Sequence, residues 1–114
     1  MKTIIQLLLA LLCLSAVGPG AKAVNPPPDG CYPGLTTALG CSALFSLTSG
    51  QGNTAIGHDA LFSDTSGSWN TGVGAVALGF NNADFNTAVG VAGLLLNDSG
   101  EGNTALGTAT MGRA

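Results

Sequence analysis

Beyond residue 23 the chain has no lysine, and its one basic side chain is Arg113. Against it stand Asp29, Asp59, Asp64, Asp84, Asp98 and Glu101, which leaves residues 24–114 with a formal net charge of −5. A surface this poor in cations cannot neutralise phosphates, which excludes nucleic acid and anionic lipid as partners. There is a single histidine, His58, and the cysteines stop at Cys41 without recurring later in the chain. That scarcity argues against a metal site and against histidine-dependent catalysis, and no cofactor is implied. The apolar stretch from Ile4 to Val17 is shorter than the roughly 20 residues a membrane span needs.

That stretch instead reads as a leader. Lys2 precedes it and Ala21-Lys22-Ala23 follows it with the small-x-small pattern of a cleavage site. Residues 1–23 are therefore expected to be a signal peptide, with the mature chain secreted or displayed at the cell surface from Val24. Mature insertion into a membrane is not expected. Residues 24–35 contain Pro26-Pro27-Pro28-Asp29-Gly30, which cannot offer a pairing strand edge and so suit an N-terminal cap and linker. Cys31 and Cys41 share an oxidising compartment on this reading, and a disulfide between them is expected. Closing so short a loop is worth ~2–3 kcal/mol. The alternative is two buried free thiols.

What is abundant is one phrase, written five times. Thr36-Thr37-Ala38-Leu39-Gly40, Asn53-Thr54-Ala55-Ile56-Gly57, Asn70-Thr71-Gly72-Val73-Gly74, Asn86-Thr87-Ala88-Val89-Gly90 and Asn103-Thr104-Ala105-Leu106-Gly107 start 17, 17, 16 and 17 residues apart. A fixed short period specifies an architecture before it specifies any chemistry. A second phrase follows each copy at Ala43-Leu44, Ala60-Leu61, Ala77-Leu78, Gly93-Leu94 and Thr110-Met111, and most intervals close on a polar turn. The chain ends at Ala114, twelve residues into the fifth copy, as expected for a piece of a longer reading frame.

Seventeen residues are too few for two helices and a linker, and the glycine content penalises helix by up to ~1 kcal/mol per interior position. A short strand ending in a glycine turn fits each phrase. Such a unit cannot bury its own apolar face, so copies must stack. The expected fold is all-β: one domain over residues 36–114, a parallel β-solenoid of about five 16–17-residue coils. At ~4.8 Å per coil the rod is about 24 Å long. Alternation places Thr54 and Ile56 on one face and Asn53, Ala55 and Gly57 on the other. The column Leu39, Ile56, Val73, Val89 and Leu106 is assigned to the core, with a second column of Leu44, Leu61, Leu78, Leu94 and Met111. Asn53, Asn70, Asn86 and Asn103 are expected to form an amide ladder, each side chain bonding the one above and the one below.

The phrase Asn-Thr-Ala-(Ile/Val/Leu)-Gly-x-x-Ala-Leu resembles the head repeats of the YadA-like trimeric autotransporter adhesins. The resemblance covers residues 36–114. It implies a left-handed β-roll, three chains packed side by side, and an adhesive head that binds an extracellular protein or surface ligand. The period here is longer than the family's, and neither its heptad stalk nor its membrane strands occur in this sequence, so anchoring is not carried over. Similar repeats occur in tail-fibre-like proteins.

Other chemistries fit less well. Leu/Ile/Val-Gly-x-x-Ala also matches hexapeptide acyltransferases, but those use three hexads per coil and a histidine base, and the equivalents of His58 are Cys41, Ala75, Val91 and Thr108. Asp59 beside His58 is expected to point to the opposite face. Asp59, Asp64, Asp84 and Asp98 fall at different phases, so no carboxylate ladder for calcium is expected. Thr54, Thr71, Thr87 and Thr104 offer one threonine column where ice-binding solenoids show two. Trp69 and Phe85 each precede an Asn-Thr and are the candidate recognition residues. Phe45 and Phe62 share another phase. Asn97-Asp98-Ser99 is a glycosylation sequon that reads more simply as a turn. A non-enzymatic structural or adhesive module is the expected function.

Overall fold

The computed structural model of the protein describes residues 1–7 and 34–111. The body of the leader, most of the expected cap and Cys31 lie outside the described residues. Each repeat phrase forms one three-residue strand: β1 (Thr37–Leu39), β2 (Thr54–Ile56), β3 (Thr71–Val73), β4 (Thr87–Val89) and β5 (Thr104–Leu106). They make a single parallel sheet in chain order, with Thr37, Thr54, Thr71, Thr87 and Thr104 aligned. The fold is a β-solenoid, and hydrogen bonding between coils continues outside the strands. Leu44 N–H donates to Ala60, Leu61 to Ala77, Leu78 to Gly93 and Leu94 to Thr110, at 2.9–3.0 Å.

The alternation is as expected, but the core is on the other face. Ala38, Ala55, Gly72, Ala88 and Ala105 point inward and are buried. Leu39, Ile56, Val89 and Leu106 point outward and are 38%, 36%, 39% and 68% exposed, with Val73 half-buried. The reason is the thinness of the coil. Leu44, Leu61, Leu78 and Leu94 enter from the opposite arm and are buried, the last three completely. A Cβ on Gly72 would already meet Leu61 Cγ at 3.5 Å and the Ala77 carbonyl at 3.1 Å. Only small residues fit across from leucine, so the larger aliphatics of the strand face out. Met111, in the last coil, is exposed.

Those leucines sit in the left-handed region, with φ of 50–53°. The conformation costs roughly 1–2 kcal/mol per residue, while complete burial of a leucine contributes about 1.5–3 kcal/mol. Burial wins, narrowly, at each of these leucines. Ser42, Asp59, Val76, Ala92 and Ala109 are also left-handed, two residues earlier. The larger turns that a 17-residue period demands are thus built from non-glycine residues at positive φ.

The glycine that ends each strand has a stricter reason. Gly40, Gly57, Gly74 and Gly90 have φ of 129–135°, and a Cβ there would stand 2.4–2.5 Å from the carbonyl oxygen of the corresponding glycine one coil on. Glycine is needed for conformation and for the close approach of coils.

The one 16-residue interval is absorbed at a single corner. Thr48 N–H, Ser49 N–H and Thr48 Oγ1 all bond the Thr65 carbonyl oxygen, at 2.9, 3.1 and 2.8 Å. In the next coil Thr65 N–H, Ser66 N–H and Thr65 Oγ1 bond the Asn82 side-chain oxygen, at 3.1, 3.1 and 2.8 Å. Asn82 has taken the place of two residues, and its side-chain carbonyl stands in for the missing backbone one.

Gly57→Ala combines strain of ~1–3 kcal/mol with an unavoidable clash against Gly74. Gly107 has φ of 117° but meets only Thr110 Cγ2, at 3.2 Å. Urea denaturation should therefore show Gly57→Ala losing at least ~2 kcal/mol more stability than Gly107→Ala; equal losses would remove coil-to-coil contact as the cause.

Candidate functional site

Inside the solenoid, Asn53, Asn70 and Asn86 are buried completely and Asn103 partly. They do form a ladder, but not amide to amide. Each side-chain oxygen accepts the backbone N–H of the next asparagine: Asn70 N to Asn53 Oδ1 at 2.8 Å, Asn86 N to Asn70 Oδ1 at 2.9 Å, and Asn103 N to Asn86 Oδ1 at 2.9 Å. The reason is that the strand begins just after each asparagine, leaving its N–H without a strand partner in the buried interior.

The freed Nδ2 groups turn to a second internal column that the repeat phrase does not announce: Asp64, Asn81 and Asn97, all fully buried. Asn53 Nδ2 donates to the Gly67 carbonyl at 2.7 Å, and Asn70 Nδ2 to the Ala83 carbonyl at 2.8 Å and to Asp64 Oδ2 at 3.3 Å. Asn86 and Asn97 both donate to Asn81 Oδ1, at 3.1 and 2.9 Å. Asn97 also donates to the Gly100 carbonyl at 2.7 Å, so its amide is engaged and inaccessible as a glycan acceptor in the folded chain. The column was available in the spacing, since Asp64, Asn81 and Asn97 follow Leu47 at the repeat intervals of 17, 17 and 16. It was hidden because one member is an acid, one is an aliphatic, and all lie in segments that look like polar turns.

Asp64 is the charged member. Burial raises its carboxyl to a pKa of about 6, and proximity to Asp84 adds to the shift. The Gly67 N–H, at 2.7 Å from Oδ1, and hydrogen bonds from Asn70 and Asn81 oppose it.

The outer surface carries the other candidates. Trp69 and Phe85 occupy the same phase in successive coils and are 52% and 61% exposed. They do not form a ring pair, because the Trp69 indole lies back over Gly52, where a Cβ would stand 2.3 Å from Cε3. The ring stack among the described residues is Phe45 on Phe62, with centroids 5.2 Å apart and planes within 6°. Cys41 is an exposed free thiol, so the expected disulfide is not present at its described end. His58 Nδ1 lies 3.1 Å from Asp59 Oδ2, contrary to the expectation of opposite faces. Asp59 has φ of 55° and is not extended, which swings its carboxylate back to its neighbour. The pair sits on an open turn. Among the described residues no group of three His, Cys, Asp or Glu side chains could hold a metal ion. None of their helices is long and apolar enough to cross a membrane.

Comparison with protein-family models, curated proteins and solved structures finds no match to the chain.

An acid whose folded pKa lies above its unfolded value binds more protons when folded, so stability falls as pH rises from about 4 to about 6. The deficit above that window is up to about 3 kcal/mol for a shift of this size. Asp64→Asn should therefore stabilise the protein at pH 7.5 by up to that amount. It should also flatten the acid-side rise in stability, which denaturant titrations at pH 4 and pH 7.5 measure.

Proposed function

We propose that the chain is a non-catalytic structural or adhesive module, secreted or displayed at a cell surface, that works as a homotrimer of parallel solenoids. The observation that carries this reading is the outward aliphatic column. Leu39, Ile56, Val89 and Leu106 stand in line on one face, each more than a third exposed, flanked by the threonine column of the same strands. A continuous apolar stripe of this kind on a soluble protein is the mark of a covered surface. The interior is only one alanine and one leucine thick, so a lone solenoid buries little apolar area and gains from lateral packing. The resemblance of the Asn-Thr-Ala-Ile-Gly phrase to trimeric adhesin head repeats supports the same arrangement. Three chains would present each outer feature three times, and contacts that are weak singly would gain from multivalency.

A second reading is supported by the same face. On each strand a threonine and an aliphatic side chain share the outer face and repeat in register from coil to coil, a two-column array that could order water, as ice-binding solenoids do. It requires the face to be free of other chains.

Light scattering on the purified chain should give three times the monomer mass at tens of micromolar. Ile56→Lys with Val89→Lys should give the monomer mass with an unchanged β signal in circular dichroism. A wild-type monomer would sink the trimer; a monomer with thermal hysteresis that Thr71→Leu abolishes would establish the second reading.

A further inference from the structure

The column that holds the stacked phenylalanines is interrupted. Phe45, Phe62, Gly79 and Leu95 occupy one phase of four successive coils, as the bonds from Ser46 N–H to Phe62, Ser63 N–H to Gly79 and Phe80 N–H to Leu95 confirm. Phe45 covers one face of the Phe62 ring at 5.2 Å, close to the ~4.8 Å coil spacing. The other face of Phe62 points along the axis to the third coil, where the side chain is missing. A cavity of about 190 Å³ opens there, lined by Asp59, Phe62, Val76, Gly79, Phe80 and Leu95.

Gly79 is not demanded by the fold. Its φ lies outside the left-handed region that requires glycine, and the nearest atom to a Cβ would be the movable Leu95 Cδ1, at 2.9 Å, with the Val76 carbonyl at 3.2 Å. The strand-end glycines, in contrast, face backbone at 2.4–2.5 Å. The missing side chain leaves an open slot between Phe62 and Leu95, and the Leu95 side chain, whose Cδ1 leans over the Gly79 position, must swing aside for a ring to stack on Phe62. The slot's walls are apolar and its one charged group is the Asp59 carboxylate, 30% exposed in its side chain and held by His58 at 3.1 Å.

We propose that this slot binds a single aromatic ring that carries a cationic substituent. The ring continues the Phe45–Phe62 stack into the third coil, and the cation lies toward Asp59. Offset-stacked aromatic pairs favour such spacing. Asp59 selects against anionic rings, in keeping with a chain whose formal net charge is −3. The volume admits one ring rather than a helix or an extended segment. The site lies on the turn arm and does not depend on the trimer.

The probe is tyramine, with 4-hydroxyphenylacetate as the same ring bearing the opposite charge and methyl β-glucoside as a non-aromatic ring. Amide chemical shifts of the full chain are followed by NMR. Tyramine should move Phe62, Gly79, Phe80 and Leu95 with Kd ~1 mM, and 4-hydroxyphenylacetate should bind at least tenfold more weakly. Gly79→Leu, which fills the slot with a residue the column already accepts at Leu95, should lower tyramine affinity at least tenfold. Asp59→Asn, tolerated at a left-handed φ, should remove the preference between the two aryl probes. Where Gly79→Leu fails to fold, Phe62→Ala replaces it, and the Asp59→Asn arm decides alone if both fail. The proposal is overturned if tyramine moves Trp69 and Phe85 instead, if neither slot variant nor Asp59→Asn alters binding, or if methyl β-glucoside moves the slot residues more strongly than tyramine.

Discussion

The structure depends on each coil's polar backbone being closed by the next. A three-residue strand cannot satisfy itself, and a 17-residue coil has no helix to retreat into. The N–H groups of Thr37, Thr54, Thr71 and Thr87 therefore reach the carbonyls of Asn53, Asn70, Asn86 and Asn103 at 2.8 Å. Where the strand's own ladder has not begun, the asparagine side chain takes over and accepts the following asparagine's N–H. Among the described residues no buried side-chain nitrogen or oxygen is left without a partner. In so narrow a rod this is a condition of folding, because an orphaned buried group costs about 1–3 kcal/mol against little compensating apolar area.

The same narrowness explains where the side chains go. Alanine or glycine on the strand and leucine on the facing arm fill the apolar part of the section, beside the internal asparagine columns. The larger aliphatics of the strand must turn outward, which is why the chain displays isoleucine, valine and leucine in line. The leucines reach the axis only through a left-handed backbone, so the core and the unusual turns are a single solution. Asp64 is the exception in a polar interior otherwise made of amides, and its burial costs stability once its proton is lost.

The solenoid, its in-register parallel strands and the column of Leu44, Leu61, Leu78 and Leu94 were legible in the sequence because repetition at 16–17 residues leaves few alternatives. The identity of the inner face was not. Alternation pairs Thr54 with Ile56 and Asn53 with Ala55, and hydrophobicity favours isoleucine for the core. Only the distance to Leu61 across the coil reverses that choice. The second internal column was obscured by composition, since Leu47, Asp64, Asn81 and Asn97 share a position but not a chemistry. The contact of His58 with Asp59 was illegible because it follows from a positive φ at an aspartate, which an extended reading of the turn cannot supply. The gap at Gly79 is visible in the sequence only as one more glycine, and it becomes a slot once Phe45 and Phe62 are seen to stack beside it.

The corner at Asn82 has a consequence of another kind. One residue is missing there, yet Thr87, Val89 and Leu94 arrive in the same positions as their counterparts a coil earlier. Length and alignment are therefore uncoupled at this corner: a side-chain carbonyl can splice two coils of unequal length. The corner faces solvent on Ser66 and Asn82. It is the natural point at which to graft a foreign peptide onto the rod, since a change in loop length there is absorbed before the next strand begins.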